Sequence, residues 1–509
     1  MKRGPYTRAA ALALSAVGAV RPVSADDTAD DEVIDDGPLT GSVQDAPTRP
    51  TGAAAVEFRG TSRITAFAEP LPGGNGDRFE SRSFVIVGAK SAPSATSPWR
   101  LEIRADLLGR AKSDPVARGG QAWDLEARPW EAWYRGKVSE HASLTTGFQH
   151  VAWGVLDVGS AADVFASYDL RLGPALTPAE VRIPLPAVRL AWSLGERIDA
   201  EVAVLPFFVP HRFDVAGTRY SAVPPGTLGP LEAALDAGTL TRLTESLARV
   251  NGIDARPDRG EVGARLTWRT SHADLAVTTA LARSRLPAFV TTESFRDALR
   301  TGSAVAALRV QQELADGTRP LEARHEHYVQ FAIDAQGSFG SLPWGAEAGM
   351  STTRSLLAAA PLEAPSVPRA SVAQAGFRLG KLDGELSVTG QATVFALVGG
   401  PGDGTPVAVA PAIFGTGKTL ALALIGARYE TGRVVLEGTA LGLCSSPIDG
   451  GSACANGSAL ISGRVGYGSD ELVVSLGGTY LAQSSSATLA LAQGIDQLAL
   501  RLDWTPARR

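Results

Sequence analysis

Residues 99–112 read WRLEIRADLLGRAK. Leu101 and Ile103 fall at every second position, and Glu102, Arg104 and Asp106 alternate with them. Strict alternation of this kind predicts a β-strand with one apolar face and one charged face. A strand of ~10 residues is also long enough to cross a bilayer when it is tilted. The segment therefore predicts a strand whose two faces meet different surroundings.

The same alternation recurs from residue 56 to the carboxyl end of the chain. It predicts a single all-β transmembrane barrel of ~18 antiparallel strands (range roughly 16–18), an even count of the kind that bacterial barrels have. The predicted strands are 56–69, 78–90, 99–111, 122–138, 142–154, 186–195, 198–208, 260–270, 273–284, 322–335, 343–357, 367–380, 384–397, 418–429, 432–443, 459–468, 471–483 and 496–504.

The links between the predicted strands alternate between short and long. Short links fall at 139–141, 195–197, 271–273, 381–383, 430–432 and 469–470. Long links fall at 155–185, 209–259, 285–321, 398–417 and 444–458. Outer-membrane barrels have tight periplasmic turns and long external loops, whereas a soluble sandwich or propeller does not enforce this alternation. Residues 231–250 and 292–308 have helical spacing, which predicts helical pieces in two long loops that either fold inward or cover the mouth.

The composition excludes several other classes of protein. The chain has 509 residues, of which 44% are hydrophobic, and its mean hydropathy is +0.03. No apolar run reaches the ~20 residues of a membrane-spanning helix, and the apolar content is too high for a disordered chain. A formal net charge of −5 gives no reason to expect nucleic-acid binding.

The first 55 residues differ from the rest of the chain. Lys2, Arg3 and Arg8 precede an apolar run at residues 9–20, the pattern of a cleaved secretory signal peptide over residues 1–25. The acidic segment 26–55 predicts a disordered periplasmic tail, and residues 56–509 form the predicted barrel. Such a protein is expected in the outer membrane of a Gram-negative bacterium. Its expected partners are outer-membrane lipid, lipopolysaccharide and the outer-membrane assembly machinery.

Aromatic residues cluster at the strand ends beside the short links. Because amphipathic rings favour the headgroup level, these residues predict a periplasmic aromatic girdle. The girdle candidates are Trp99, Trp133, Trp192, Trp268, Trp344, Tyr429, Tyr467 and Trp504.

The polar faces of the predicted strands carry charges of both signs. The lumen-lining candidates are Arg59, Arg63, Arg82, Arg100, Glu102, Arg104, Asp106, Asp124, Glu126, Arg128, Arg265, Arg324, Glu326 and Arg501. One interpretation is a ladder of paired charges that stabilises a wet interior. The other is a pathway whose transverse field orients polar or anionic solutes. We expect a combination of the two, without selectivity for one sign of ion.

Cysteine and histidine offer few further sites. Cys444 and Cys454 flank nine residues of one predicted external loop, and the oxidising compartment favours a disulfide between them over a metal site. His325 and His327 share one predicted strand face and could share a metal ion, but their place near a predicted external rim favours simple solvation. A hydrolytic site would need His150 together with Asp157 or Asp163, at a spacing that carries no known signature. We therefore expect no enzyme and no cofactor.

Residues 147–154 read GFQHVAWG. They resemble the Gly-x-Gln-x-x-x-aromatic-Gly strand of large proteobacterial outer-membrane channels, which include porins and alginate-export-like barrels. Those channels often have Arg at the second position, where this chain has Phe148. Residues 162–164, 184–186 and 213–221 also resemble this porin-like family. The resemblance implies an outer-membrane channel or transporter and gives no substrate.

Three functions are compatible with these patterns. The first is a channel that passes a solute or polymer across the outer membrane through a charged lumen gated by the long loops. The second is a barrel component of a trans-envelope system that exports polysaccharide or lipid, with the acidic tail 26–55 binding a periplasmic partner. The third is an outer-membrane enzyme. We expect the first.

Overall fold

A computed structural model gives the arrangement of most of the predicted barrel. It describes residues 55–67, 79–91, 97–110, 123–170, 181–212, 259–356, 362, 367–383, 385–399, 418–446, 456–469, 471–483 and 497–505. The predicted signal peptide, nearly all of the acidic tail, the helical segment 231–250 and Cys454 lie outside the described residues.

The described chain is built almost entirely from β-strands. The strands are β1 (Ala55–Phe67), β2 (Phe79–Lys90), β3 (Trp99–Arg110), β4 (Trp123–Ser139), β5 (Ala142–Gln149), β6 (Ser167–Tyr168), β7 (Arg182–Ile183), β8 (Leu185–Ser193), β9 (Ile198–Leu205), β10 (Glu261–Arg269), β11 (Ala273–Arg283), β12 (Ala288–Thr291), β13 (Leu321–Arg324), β14 (His327–Phe339), β15 (Leu342–Ser355), β16 (Arg369–Asp383), β17 (Leu386–Val398), β18 (Thr419–Thr431), β19 (Val434–Ser446), β20 (Asn456–Ser469), β21 (Leu472–Gln483) and β22 (Gln497–Trp504). The pairs β6–β7 and β12–β13 form two small separate sheets, and the other eighteen strands form one sheet.

The eighteen-stranded sheet closes on itself. Each of its strands pairs antiparallel with the next one along the chain, and β22 returns to pair with β1. In that last pairing Arg63 lies opposite Arg501, and Gly60 lies opposite Trp504. Closure satisfies the backbone hydrogen bonds of every strand and leaves no open edge. The predicted fold, an all-β antiparallel barrel of outer-membrane type, is confirmed.

The two faces of the barrel wall differ as the alternation predicts. In β3, Leu101 and Ile103 point outward and are 54% and 55% exposed, whereas Glu102 and Arg104 point inward and are 2% and 0% exposed. Other strands expose large apolar side chains on the same outer surface. Examples are Ile64, Leu266, Val277, Phe331, Ile333, Ile425, Ile461, Val465, Leu498 and Leu500. A continuous apolar outer surface is suited to contact with lipid.

The strand links fall into two classes, one at each end of the barrel. The hairpins β4–β5, β8–β9, β10–β11, β14–β15, β16–β17, β18–β19 and β20–β21 are joined by two to four residues. We call this end the short-turn rim, and the opposite end the long-loop rim. The predicted alternation of short and long links is confirmed. No helix among the described residues is long and apolar enough to span a membrane.

The long loop between β11 and β14 contains the helices α1 (Glu293–Thr301) and α2 (Ala304–Ala315), as its helical spacing predicts. Thr292 caps α1, since its Oγ1 accepts a hydrogen bond from the backbone N–H of Phe295 at 3.4 Å. Gly302 ends the helix in the left-handed conformation at φ 64°. Strands β12 and β13 close the base of this helical hairpin.

The predicted strand 322–335 is wrong in its first residues. β13 ends at Arg324, and the wall strand β14 begins only at His327. Between them the ring Nδ1 of His325 lies 2.7 Å from the carbonyl oxygen of Ser284, which holds the chain out of the wall. Because of this break, two of the predicted lumen-lining residues are not part of the barrel wall. Arg324 is half-exposed and paired with Glu322 at 2.9 Å, and Glu326 is paired with Arg369 in front of β14.

The outward apolar face of β14 gives a test of the barrel's orientation in the bilayer. Ile333 lies at the middle of the strand and points outward, and we expect Ile333→Arg to cost about 2–4 kcal/mol of folding free energy at the bilayer midplane. Gln336→Arg is the matched control, because alternation turns Gln336 toward the lumen, where a charge remains in water. The measurement is urea titration of folding into lipid vesicles. Equal losses for both variants would contradict the assignment of the two faces.

Candidate functional site

The lumen is crossed by the chain that follows β5. We call residues 150–170 the crossing segment. The ring order places β5 fifth and β17 thirteenth among eighteen strands, so the two lie on nearly opposite walls. The crossing segment leaves β5 at the long-loop rim and contacts β15, β16 and β17 on that far wall. It therefore narrows the interior of the barrel.

Two glycines make the close approach to the far wall possible. Gly159 has φ +68°, and a Cβ there would lie 2.5 Å from the ring of Phe395 in β17. At Gly376 of β16, a Cβ would lie 2.6 Å from Cδ1 of Leu156. A side chain at either position would push the crossing segment off the wall.

Glu347 of β15 is the main anchor of the crossing segment. Its Oε1 accepts hydrogen bonds from the hydroxyl of Ser160 at 2.7 Å and from the backbone N–H of Ala162 at 2.6 Å. Its Oε2 accepts from the backbone N–H of Val155 at 3.0 Å. Hydrogen bonds to a charged acceptor are stronger than neutral ones. One buried carboxylate thus fixes three points of the loop.

A glutamine makes a second anchor on the neighbouring wall. Gln391 of β17 accepts a hydrogen bond from the backbone N–H of Asp157 at 2.9 Å, and its amide donates to the carbonyl of Val158. Gln374 of β16 donates to the carbonyl of Gly159 at 3.2 Å. These amides bind backbone groups, so they satisfy peptide groups that the loop would otherwise bury without partners.

Two ion pairs complete the attachment. Asp157 pairs with Arg378 of β16 at 2.8 Å, and Asp163 pairs with Arg182 of β7 at 2.7 Å. Burial raises the pKa of both aspartates, and in each case the partner arginine opposes that shift. Arg182 also donates to the carbonyl of Val151 at 2.7 Å, so one guanidinium links the start of the crossing segment to Asp163.

The chain after β9 packs against the end of the crossing segment. Nδ1 of His211 accepts a hydrogen bond from the backbone N–H of Tyr168 at 3.0 Å, and the hydroxyl of Ser167 donates to the carbonyl of Pro210 at 2.7 Å. Burial lowers the pKa of His211 well below its ordinary value, and nearby Arg285 adds to the effect. The His211 ring is therefore neutral and able to accept this bond.

Most of the predicted lumen charges form ion pairs on the neighbouring strands β22 and β1–β4. Glu102 pairs with Arg100 at 2.9 Å and with Arg59 at 3.3 Å. Asp106 pairs with Arg104 at 2.8 Å and with Arg82 at 3.3 Å. Further pairs are Arg128–Asp169, Arg212–Glu126, Arg265–Asp334 and Arg501–Asp503.

Two candidates need separate mention. Arg63 is buried opposite Arg82 and Arg501. Asp124 lies in β4, but its side chain is outside the described part of the structure. The structure thus places most of the candidates on β22 and β1–β4. The exceptions are Arg265 of β10, which pairs with Asp334 of β14, and Arg324 and Glu326 in front of β14.

Aromatic rings cover part of this network. The guanidinium of Arg104 lies 4.0 Å from the ring centroid of Phe84 and 4.4 Å from that of Trp130. Cation–π contacts of this length favour a desolvated arginine. Together with the ion pair to Asp106, they make the β2–β4 wall a fixed, buried structure rather than a row of mobile charges.

Strands β17 to β20, which precede β21 and β22 in the ring, carry an apolar patch on their inner face that alternation did not predict. Phe395 of β17 and Leu420, Leu422 and Leu424 of β18 point inward and are buried. Inward leucines continue on β19 and β20 at Leu441, Leu443 and Leu460. The signal was present in the sequence, because residues 420–425 read LALALI and are apolar at every position. The inner face of β17–β20 is therefore apolar over the half nearer the long-loop rim, whereas Arg428, Glu437 and Arg464 form ion pairs on it nearer the short-turn rim.

The eight predicted girdle residues all lie toward the short-turn rim. Trp99 opens β3, Trp344 is the third residue of β15, and Trp192 and Trp268 are next to last in β8 and β10. Tyr429 and Tyr467 are near the ends of β18 and β20, and Trp504 ends β22. Trp133 is at the same height but lies opposite the inward Arg100, so its ring is on the lumen face, and Tyr134 is the residue opposite Trp99 on the outer face. Their contact with lipid headgroups stays a prediction.

The residues considered for catalysis and metal binding do not come together. His150 lies against the ring of Trp130 and 3.8 Å from Glu131, while Asp157 and Asp163 bind arginines. Among the described residues, no three metal-ligating side chains form a cluster. Cys444 is engaged in a disulfide bond, and Cys454 lies outside the described residues.

Known proteins resemble this chain in fold. Residues 117–364, a little under half of the chain, match the family described as "Protein of unknown function (DUF1302)". No curated protein matches the sequence.

Three solved structures of bacterial proteins are similar. The outer membrane protein OpdK from Pseudomonas aeruginosa has 8% identity and a TM-score of 0.47, with 89% of this chain and 99% of that chain covered. A BenF-like porin from Pseudomonas fluorescens Pf-5 has 8% identity and a TM-score of 0.48, covering 89% and 98%. OccAB2 from Acinetobacter baumannii has 10% identity and a TM-score of 0.45, covering 89% and 98%.

The anchoring role of Glu347 is testable by amide hydrogen exchange. Glu347→Ala removes three hydrogen bonds to a charged acceptor, each worth about 1.5–3 kcal/mol. We expect the amides of Val155 and Ala162 to exchange at least about tenfold faster, since each 1.4 kcal/mol of lost protection is tenfold.

Glu313→Ala is the matched control for this experiment. Glu313 also accepts hydrogen bonds, from Thr292 at 2.8 Å and from Ser294, but it lies in the α1–α2 hairpin. Exchange in the crossing segment should not change in this variant. Unchanged exchange in Glu347→Ala as well would show that Glu347 does not hold the segment in place.

Proposed function

We propose that this protein is a channel of the Gram-negative outer membrane that passes a solute through a charged lumen, with the crossing segment as its gate. The observation that carries the proposal is the attachment of residues 150–170 across the interior to the nearly opposite wall. A barrel that served only as an anchor would have no need of a loop placed there.

The barrel itself supports transport. Eighteen strands enclose an interior wide enough for an aqueous path, as barrels of this size do. The inner wall carries paired charges from β22 through β4, whereas the outer surface is apolar. Polar residues facing inward in a lipid-embedded barrel are the arrangement that lines a path for solutes.

The attachment of the crossing segment supports gating. The anchors that we describe from Glu347, Gln391, Gln374 and Arg378 are hydrogen bonds and ion pairs, and most of them bind backbone groups of the loop. When the loop moves, hydrogen bonds to water replace these contacts. Each contact therefore contributes a net free energy of only about 0.5–1.5 kcal/mol, and those to the carboxylate contribute more. The segment is therefore held firmly in place but reversibly.

Planar-bilayer recordings test this function. We expect the purified wild-type barrel to give discrete conductance steps. The double variant Glu347→Ala, Gln391→Ala loses both main anchors, so its steps should be several times larger or its open state much more frequent. The measurement is the single-channel amplitude and open probability at fixed salt and voltage.

The control is Glu313→Ala, which should conduct like the wild type. Heat-modifiable migration on gels establishes that each variant is folded. An absence of conductance steps in both the wild type and the folded double variant would refute the channel. Steps of identical size and frequency in the two proteins would refute the gate alone.

A further inference from the structure

We propose that the end of the crossing segment is held by a proton-sensitive latch, in which His211 releases residues 165–170 when its ring takes up a proton. The latch is the contact between residues 165–170 and residues 208–212. Mild acid then frees one end of the proposed gate. The inference rests on the proposed function, because it names a signal that regulates the crossing segment.

The latch is made of hydrogen bonds between two chains that run side by side. The backbone N–H of Arg212 donates to the carbonyl of Tyr168 at 2.9 Å, and the N–H of Leu170 donates to the carbonyl of Arg212 at 2.7 Å. The hydroxyl of Ser167 donates to the carbonyl of Pro210 at 2.7 Å. The acceptors in these three bonds are carbonyl oxygens, which do not titrate in mild acid.

His211 adds a hydrogen bond of a different kind to the latch. Its Nδ1 accepts from the backbone N–H of Tyr168 at 3.0 Å, and its ring centroid lies 5.4 Å from that of Tyr168. A neutral imidazole has one acceptor nitrogen, whereas a protonated imidazole has two donors and no acceptor. Protonation of Nδ1 therefore removes this bond and leaves the N–H of Tyr168 facing another N–H donor.

Arg285 fixes the position of His211 and touches both chains of the latch. Its carbonyl accepts from the backbone N–H of His211 at 3.2 Å. Its guanidinium donates to the carbonyls of Val209 at 2.9 Å and Phe165 at 3.2 Å, and it pairs with Glu261 at 2.8 Å. A proton on His211 therefore adds a positive charge near a guanidinium that is held in place, and the repulsion acts where the two chains are aligned.

The carboxylates around the His211 ring are already engaged with arginines. The charged and titratable groups of the surrounding elements are Asp157, Asp163, Tyr168, Asp169, Arg182, Arg212, Glu261, Arg283, Arg285, His325, Tyr328 and Arg354. Each of the four carboxylates among them forms an ion pair, with Arg378, Arg182, Arg212 and Arg285 in chain order. Burial, together with the charges of Arg285 and His325, accordingly lowers the pKa of His211 well below its ordinary value.

The direction of this pKa shift sets the direction of the pH response. A histidine whose pKa is lower in the folded protein contributes its full stabilisation above the unfolded pKa of about 6.5. That contribution is lost as the pH falls through the folded pKa, so the latch is closed at neutral pH and weakens in acid. A cavity of about 90 Å³, which Asp163 and Tyr168 also line, lies beside the ring and has room for a few water molecules. Protons therefore have a route to His211.

Hydrogen exchange of the Tyr168 amide in the folded, wild-type barrel tests the latch without any substitution. The measurement is the protection factor, the ratio of the intrinsic to the observed exchange rate, at neutral pH and at about pH 4.5. We expect protection to fall at least about tenfold in acid, because a hydrogen bond is lost and two donors then face each other. Equal protection at the two pH values would overturn the proposal.

Variants separate the imidazole from the carboxylates that also take up protons in acid. Asp157 and Asp163 hold the crossing segment, and burial raises their pKa. His211→Asn puts an amide oxygen near the position of Nδ1, which keeps an acceptor for the N–H of Tyr168 that does not titrate. We expect this variant to keep most of its neutral-pH protection in acid. His211→Ala removes the acceptor, so its protection should be low at both pH values.

His272→Asn is the matched control, because His272 is exposed in the turn between β10 and β11. This variant should lose protection at Tyr168 in acid as the wild type does. Heat-modifiable migration on gels establishes that each variant is folded. An equal acid loss in the wild type and in folded His211→Asn would show that the carboxylates respond to acid and would refute the latch.

Bilayer recordings separate a failure of the latch from a failure of the proposed function. Acid should raise the step amplitude or the open probability several-fold in the wild type and much less in His211→Asn. A conducting barrel whose acid response is the same in the two proteins keeps the channel and refutes the regulation. A barrel that loses Tyr168 protection through His211 but never conducts keeps the latch and refutes the channel.

Discussion

Closure of the sheet is the constraint on which the rest of the structure depends. In a bilayer no water is available for an unpaired backbone group, so the wall is stable only when β1 pairs with β22. Closure fixes the ring order, and the ring order in turn places β5 almost opposite β17. The distance that residues 150–170 cross is therefore set by backbone hydrogen bonding in strands far from the loop.

Alternation in the sequence predicts the wall well, because lipid and lumen impose opposite demands on successive residues. The prediction fails where a second contact competes. The alternation that includes Leu321 and Ala323 runs on without a break toward β14. The contact between His325 and the carbonyl of Ser284 nevertheless keeps the residues before His327 out of the wall. In β18 the leucines at positions 420, 422 and 424 point inward, and no alternation marks them because both faces of the strand are apolar.

The candidate site was predictable only in part. The conspicuous charges of β1–β4 are mainly a paired structural network, whereas Glu347 and Gln391 bind a loop that is distant in sequence. Glu347 and Gln391 occupy ordinary inward positions, so only the folded chain shows which backbone groups they meet.

The chemistry of Glu347 bears on the proposed gate, because it sets how strongly the crossing segment is held. Its three hydrogen-bond donors on the loop are a hydroxyl and two peptide N–H groups, all of them neutral. Burying a carboxylate costs several kcal/mol, and neutral donors offset this cost without a large surplus. When the loop leaves, the carboxylate regains water, which compensates for the lost contacts. An arginine partner for Glu347 in the loop would favour the closed state of the proposed gate more strongly than these neutral donors do, and the Asp157–Arg378 ion pair already acts in that direction.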